Sequence, residues 1–338
     1  MRFIGWILRA CGLVVVGALV LVGGGVSQGG VLPGEEVDPP FELINLGSPP
    51  GVPPDLGGIT FLTADSSTIL IGGDAGDANA AIYSVMVSRN TEGHIVGFSG
   101  TAELFAQSPY IDGGLVYGPG DVLFYSRYQP STAEIGEIKP GSTTTDRVVN
   151  LDGFGVAEAP GGLNFVPPGF PGAGKLKMTS YEDGAWWELG LTPDNNGTYD
   201  VISADHLETV REGSDGFVFV PRGMPGLEDY SVLINNYDGD AIHLYEIDSN
   251  GDPIPLTEVD FARGLNGPLG AAFDSVTGDL LISEYGSDEV LAIRGFSAAK
   301  GDVNCDGVID ARDVALLLSF VADIPVTLAP GCARINSP

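Results

Sequence analysis

The stretch from Asp302 to Asp313 places oxygen-bearing side chains at alternating positions, which is the spacing of a calcium-binding loop. Calcium takes roughly six to eight oxygen ligands, and Gly307 stands where such a loop must turn sharply. The sequence therefore predicts a calcium site here, and the alternative is an acidic surface turn. The predicted calcium ligands are Asp302, Asn304, Asp306, Val308 through its carbonyl, Asp310 and Asp313.

Polar residues also recur at the ends of five similar strands. Equivalent positions in a ring of repeats converge on one face, so we expect Arg127, Asn236 and Glu284, together with Asp74, to surround a central pocket. These three are weak catalytic candidates, and the alternative is that they merely end strands while tyrosines pack between repeats. The aligned pairs are Gly73-Asp74, Arg127-Tyr128, Ser180-Tyr181, Asn236-Tyr237 and Glu284-Tyr285.

No familiar nucleophile or metalloprotease motif accompanies these residues. The sequence has no G-x-S-x-G and no H-E-x-x-H, and its three histidines fall in different repeats. Trp186 and Trp187, with nearby tyrosines, could stack on a sugar. Adjacent residues on a strand face opposite ways, so we expect one of the two indoles to lie in the core.

The elements that must position the strand-end residues repeat roughly every 50 residues, a period typical of β-propeller blades. Each copy has an anchor strand followed by three further runs rich in β-branched and aromatic residues, separated by turn residues. We predict an all-β, five-bladed propeller, with six blades or an open solenoid or sandwich as alternatives. The anchors are Gly58–Phe61, Gly114–Tyr117, Gly162–Phe165, Gly216–Phe219 and Gly270–Phe273.

The fifth repeat lacks a fourth strand, and Phe41–Leu46 has the pattern of one. It could complete the last blade and so remove an exposed sheet edge. After the calcium loop, Val314, Leu317, Leu318 and Val321 recur at helical steps, so a short amphipathic helix is predicted in the tail.

The N-terminus has the order of a secretory signal: two arginines, an apolar run and small residues before Ser27. An uncleaved anchor is the alternative, and we expect no stable membrane span. Export makes a disulfide between Cys305 and Cys332 plausible, against two free thiols. The predicted divisions are 1–27 signal peptide, 28–40 linker, 41–296 propeller, 297–300 linker and 301–338 calcium-binding tail.

The net charge of −30 argues against nucleic acid and anionic membrane surfaces as partners. It indicates a cation-rich exterior, so we predict a secreted or cell-surface protein with bacterial-type export. The charge itself has no catalytic meaning, because acidity of this kind mostly serves solvation.

Two resemblances add to these predictions. Gly301 to about Ile324 resembles a type I dockerin repeat, which implies calcium and a cohesin-like or other cell-surface partner; Ala311 and Arg312 replace the usual hydroxyl pair, and one repeat of two is present. Gly267 to Ile293 resembles a blade of the NHL and SMP-30/gluconolactonase-like propellers, whose acidic and amide residues hold a divalent ion for lactone hydrolysis.

Two functions follow from these features. The first is an exported, non-catalytic propeller that binds a protein, a carbohydrate or a small ligand on its face, with the tail as a calcium-dependent docking device. The alternative is a secreted propeller hydrolase, of lactonase or glycoside hydrolase type, tethered by the tail. Carboxylates that converge around a metal would favour the hydrolase.

Overall fold

Five antiparallel sheets, each with four consecutive strands or their equivalent, form a five-bladed β-propeller in the computed structural model. The prediction of an all-β, five-bladed propeller with a short C-terminal helix is confirmed, and the six-bladed alternative is not. The structure describes residues 35–63, 65–224, 226–296, 311–322 and 324.

The strands follow the chain order from the axis of the propeller to the outer edge of each blade, with two exceptions: β2 completes blade 5, and β1 adds a fifth strand to blade 4. They are β1 (Glu36–Val37), β2 (Glu42–Asn45), β3 (Ile59–Leu62), β4 (Asp65–Gly73), β5 (Ala81–Arg89), β6 (Ile95–Gln107), β7 (Ile111–Tyr117), β8 (Leu123–Gln129), β9 (Thr132–Ile138), β10 (Arg147–Asn150), β11 (Pro160–Phe165), β12 (Leu176–Ser180), β13 (Ala185–Pro193), β14 (Tyr199–Thr209), β15 (Ser214–Val220), β16 (Ser231–Asn236), β17 (Ala241–Glu246), β18 (Val259–Arg263), β19 (Pro268–Phe273), β20 (Leu280–Glu284) and β21 (Val290–Arg294). Blades 1 to 4 are β3–β6, β7–β10, β11–β14 and β15–β18, and blade 5 is β19–β21 with β2.

Strand β2 closes the ring, as its sequence pattern predicts. It pairs antiparallel with β21, with Glu42 opposite Arg294 and Asn45 opposite Leu291. The last blade is therefore built from both ends of the propeller segment, and the edge of β21 is covered.

Strand β1 is an addition that the sequence did not predict. Glu36 and Val37, within the predicted linker, pair with Arg263 and Ala262 at the outer edge of blade 4. The Arg263 guanidinium also contacts carboxylates of Glu36 and Asp38, at 2.9 and 3.0 Å. A strand of only two residues is too short to show a hydrophobic period, so the sequence pattern did not predict it.

The innermost strands approach each other at their anchor glycines. A Cβ atom on Gly162 would lie 2.4 Å from the Asp215 carbonyl oxygen, and one on Gly216 would lie 2.3 Å from that of Leu269. Only glycine permits such close contact between backbones. This packing draws the five inner strands together around the axis.

Apolar residues of adjacent blades interlock around this centre. Between blades 1 and 5, Ile59 and Ile71 belong to the same buried cluster as Leu281 and Ala292. Both Trp186 and Trp187 are buried, because each face of a blade is covered by a neighbour. The expectation that only one indole lies in the core is therefore wrong.

Helix α1 spans Ala311–Val321 at the predicted place. Of the predicted calcium ligands, only Asp313 is among the described residues; it lies in the first turn of α1 and is 1% exposed. Residues 301–310, with Cys305, lie outside the described part of the chain, as do Cys332 and the predicted signal peptide. Within the described residues, no helix combines the length and apolar character required to cross a bilayer.

Candidate functional site: an axial cavity ringed by tyrosines

A cavity of about 330 Å³ opens at the end of the axis where the second strand of each blade terminates. Four of its walls are tyrosines at the ends of those strands, and the fifth, on blade 1, is the loop Ala75–Asp77. Tyr128 is the penultimate residue of β8, and the other three tyrosines directly follow their strands. We call this space the axial cavity. Its lining residues are Ala75, Gly76, Asp77, Asp112, Tyr128, Tyr181, Asp215, Tyr237, Leu269 and Tyr285.

The four tyrosines contact each other in sequence around the axis. Ring centroids lie 6.4 Å apart between Tyr128 and Tyr181, 6.1 Å between Tyr181 and Tyr237, and 5.7 Å between Tyr237 and Tyr285. The interplanar angles of 70° to 89° are edge-to-face, an arrangement that aromatic pairs favour. Each ring thus holds its neighbour, so the aromatic wall is largely preformed.

Two buried aspartates lie deeper in the axial cavity than the rings. Blades 1 to 3 have glycine one residue before the anchor glycine, whereas blade 4 has Asp215 and blade 5 has Leu269. Two of these glycines leave room for the Asp215 side chain: a Cβ on Gly113 or Gly161 would lie 2.9 Å from Asp215 Oδ1. Asp112, on the inner strand of blade 2, is the second acid.

These carboxyl groups are poorly compensated. Asp215 is 1% exposed, and its Oδ1 atom has no hydrogen-bond partner among the described residues. Burial raises the pKa of Asp112 to about 8, although the Gly113 N–H partly opposes the shift. Burial, with the nearby charges of Asp112 and Asp238, raises the pKa of Asp215 well above its ordinary value. Removal from water penalises the ionised form, so burial shifts both acids towards their protonated forms.

Further carboxylates surround the mouth of the axial cavity. Burial raises the pKa of Tyr285, and the charges of Asp55 and Asp77 add to the increase. The pKa of Tyr181 is raised first by burial and then by its hydrogen bond to Asp238, where the two oxygens lie 3.0 Å apart. The ten lining residues include three aspartates and no Lys, Arg or His. The carboxylates at the mouth therefore give the site a negative potential, while burial favours the protonated forms of the two deeper acids.

Hydroxyl groups on the second strands lock the base of the site. The Thr179 hydroxyl accepts from Gly162 N at 2.6 Å and donates to the Asp215 carbonyl at 2.9 Å, so it joins blades 3 and 4. Ser126 and Ser283 form the same bridge from blades 2 and 5. On blade 4 the Asn235 amide donates to the Leu269 carbonyl at 3.0 Å. The backbone of Asp215 is thus fixed from the neighbouring blade.

The strand-end candidates predicted from sequence do not line the axial cavity; the residues that follow them do. Arg127 contacts Glu134 at 3.1 Å and the Pro109 carbonyl at 2.7 Å, both within blade 2 or its entry loop. Asn236 donates to the Glu212 carbonyl at 2.6 Å. Along a strand, successive side chains point to opposite sides, so the tyrosine faces the axis when its neighbour does not.

Glu284 and Asp74 also have local roles. Glu284 is buried and accepts from Asn266 N at 2.7 Å and from Ser287 Oγ at 2.6 Å. Burial raises its pKa to about 7 despite these hydrogen bonds. The backbone N–H of Asp74 donates to the Pro54 carbonyl at 2.9 Å. Arg127, Asn236 and Glu284 therefore do not line one shared pocket. Their catalytic role stays a prediction.

Sequence reasoning missed Asp112 and Asp215, the two acids of the site. Both precede anchor glycines, and an alignment of the five anchors extended by two residues would have found them: the two preceding residues are Leu56-Gly57, Asp112-Gly113, Pro160-Gly161, Ser214-Asp215 and Pro268-Leu269. Carboxyl groups among glycines, prolines and apolar residues at the axis of a ring are the detectable signal.

A separate group of side chains could hold a metal ion. Within the described part of the chain, His243, Glu258 and Asp260 on blade 4 offer ligand atoms within 4.8 Å of one another. Burial lowers the pKa of His243, which favours the neutral imidazole that binds metals. Glu258, however, already accepts from Arg211 at 2.5 Å and from the Tyr245 hydroxyl at 2.9 Å. A metal here must compete with the guanidinium.

Comparisons with known proteins give structural likenesses alone. No family model matches the sequence, and no curated protein matches it either. A structure of a Carbohydrate-Active Enzymes Family AA12 protein from Trichoderma reesei is 11% identical, covering 78% of this chain and 98% of that one, with a TM-score of 0.46. The calcium-binding protein regucalcin from Agrobacterium tumefaciens is 13% identical, covering 73% and 92%, with a TM-score of 0.42. Streptogramin B lyase is 12% identical, covering 75% and 97%, with a TM-score of 0.36. These likenesses concern the fold.

Proposed function

We propose that this chain is a binding module whose ligand enters the axial cavity. The observation that carries the proposal is the convergence of four tyrosines and two buried carboxyl groups, from four different blades, on one preformed space of about 330 Å³. Concave sites of this size with aromatic walls and a few polar groups are typical of small-molecule binding. The proposed ligand is a small molecule or the small terminal group of a protein or carbohydrate.

A ligand screen with matched tyrosine variants tests this function. Small amines, sugars and divalent ions are tested for a rise in the thermal midpoint of the full chain. A true ligand should lose its effect in Tyr181→Ala and keep it in Tyr230→Ala, because Tyr230 is also partly exposed but packs against Phe170 outside the axial cavity. A ligand that stabilises both variants equally would place its site elsewhere.

A second candidate is hydrolysis, and one observation favours it. A carboxyl group with a pKa of about 8, such as Asp112, holds its proton at neutral pH and can serve as a general acid. Lactones and glycosides are the substrates to test, with Asp112→Asn beside Glu284→Gln. Turnover abolished only by Asp112→Asn would support hydrolysis in the axial cavity; turnover abolished only by Glu284→Gln would support the strand-end prediction.

The tail remains a proposed calcium-dependent docking device for a cohesin-like or other cell-surface partner, consistent with export. Its loop supplies all the predicted calcium ligands, so calcium should order the tail without changing the blades. Asp302→Ala combined with Asp306→Ala should abolish tight calcium binding by calorimetry, and the thermal midpoint of the propeller should not change. An unaltered high-affinity calcium site in the double variant would contradict the loop assignment.

A further inference from the structure

We propose that the axial cavity binds an organic ammonium cation, with the rings of Tyr181 and Tyr237 against its alkyl groups and Asp215 Oδ1 opposite its charge. This inference rests on the proposed function and specifies the class of ligand. It is carried by three features of the site: its charge, its aromatic wall and an acceptor atom that lacks a partner.

The charge of the site selects cations. Three aspartates line the axial cavity, and burial, with the added charges of Asp238 and Asp55, raises the pKa of Tyr237 at its mouth. No lining residue carries a positive charge. An anionic ligand would be repelled by the carboxylates at the mouth, and a neutral ligand would not stabilise the ionised forms of the two buried acids.

The aromatic wall selects an alkylated cation over a bare metal ion. Calcium takes roughly six to eight oxygen ligands, whereas four of the ten lining residues are tyrosines, whose ring faces offer no oxygen. Tyrosine rings attract an ammonium group within about 6 Å of the ring centroid and also bury its methyl groups. Several rings around one site are the arrangement by which proteins recognise quaternary ammonium groups.

The base of the site supplies an acceptor with no competing partner. Asp215 is 1% exposed, and its Oδ1 atom receives no hydrogen bond from any described residue. Its backbone carbonyl accepts from the Thr179 hydroxyl at 2.9 Å, which fixes the backbone from which the carboxyl group projects. Asp112 lies across the same cavity. The free-energy cost of burying an ionised carboxyl group at this place is offset when a cation binds beside it.

Binding should therefore be linked to proton loss from the acid pair. Burial favours the protonated forms of Asp112 and Asp215 in the free protein, and a cation at this position stabilises their ionised forms. The titratable groups that face these two acids are Asp238, Asp77 and the four tyrosines. All of these are acidic, so none offers the positive charge that the ligand would provide.

Calorimetry with choline and its neutral isostere 3,3-dimethylbutan-1-ol tests the inference on the full chain. We expect choline to bind at least tenfold more tightly than the alcohol, and more tightly at pH 8.5 than at pH 6. Asp215→Asn and Tyr237→Ala should each weaken choline binding about tenfold or more. Asp260→Asn, a half-exposed carboxylate at the outer edge of the same blade, should leave it unchanged.

The outcomes separate this inference from the proposed function. Equal affinity for choline and the alcohol, or displacement of choline by stoichiometric calcium, would overturn the ammonium assignment. If choline fails and a neutral ligand from the screen still depends on Tyr181, the ammonium inference falls and the binding function stands. If no ligand of any class depends on Tyr181, both fall. Circular dichroism of each variant establishes that lost binding is not lost folding.

Discussion

Thr179 connects the inner strands of two blades through a single hydroxyl. The side chain is fully buried, and it both accepts from Gly162 N and donates to the Asp215 carbonyl. Removal of the hydroxyl leaves both backbone groups buried without a partner, which costs more than the hydrogen bonds themselves contribute. Small polar residues on second strands are thus structural parts of the site.

We predict that Thr179→Val lowers the free energy of unfolding by about 1–3 kcal/mol, because it leaves a buried N–H and a buried carbonyl unsatisfied. Urea denaturation measures the change. Thr132→Val is the matched control: the Thr132 hydroxyl is buried but has no hydrogen-bond partner among the described residues, so its loss should be nearly neutral. Equal losses in both variants would show that the bridge contributes nothing.

The acid pair makes a testable prediction about pH. The folded-state pKa of Asp112 is raised to about 8 and that of Asp215 is also raised well above its ordinary value, so between about pH 4 and pH 8 the folded protein binds more protons than the unfolded chain. The free energy of unfolding should therefore fall as pH rises across this window. Glu137 and Glu284, each with a pKa of about 7, contribute in the same direction.

Asp112→Asn isolates the contribution of the acid pair. The variant lacks one titrating group, so its free energy of unfolding should fall less between pH 5 and pH 9 than that of the parent. Urea denaturation of the variant and the parent at pH 5 and pH 9 measures this difference. A fall as large as that of the parent would mean that Asp112 does not hold an extra proton in the folded state.

At the scale of elements, the closure strand β2 connects the beginning of the propeller to its end. Side-chain contacts between blades 1 and 5 support the same junction: the Arg89 guanidinium forms an ion pair with Asp274 at 2.6 Å, and His94 Nδ1 is hydrogen-bonded to Asp279 at 2.7 Å. Asp274 and Asp279 are buried, so these contacts are shielded from solvent. The junction is thus held by both backbone pairing and charge.

Removal of residues 1–46 should destabilise the whole ring, because it strips β2 from β21 and exposes a sheet edge. The control, removal of residues 1–34, leaves β1 and β2 in place. We expect a lower thermal midpoint and a tendency to aggregate for the longer deletion only. A monomeric protein with the midpoint of the control would contradict a ring closed by β2.

Much of the blade architecture was predictable because it depends on local pattern. The anchor strands, the turns and the closure by Phe41–Leu46 all follow from alternating apolar residues and glycine at fixed intervals. The direction of a strand-end side chain does not follow from this local pattern. Arg127 and Tyr128 are neighbours in sequence, and only the register of the strand decides which of them faces the axis. Because the tyrosines face the axis, they line the cavity in place of the polar residues that the sequence analysis predicted there.

At the scale of the whole molecule, the acids of the site come from blades on different sides of the ring. Asp112 and Asp215 are far apart in the sequence, and they meet only because five inner strands converge on glycines. No short motif contains them. The ring therefore creates the site, and the high net negative charge of the chain adds to the field around it.

The central claim is that the axial acid pair is protonated in the free protein and ionises when a cation binds. The number of protons released on choline binding tests it most directly. It is obtained by calorimetry at pH 7 in phosphate and HEPES buffers, whose ionisation enthalpies differ. We predict release of about one proton by the parent and of none by the Asp112→Asn, Asp215→Asn double variant. Binding heats that are identical in the two buffers, or the same release from the double variant, would contradict the claim.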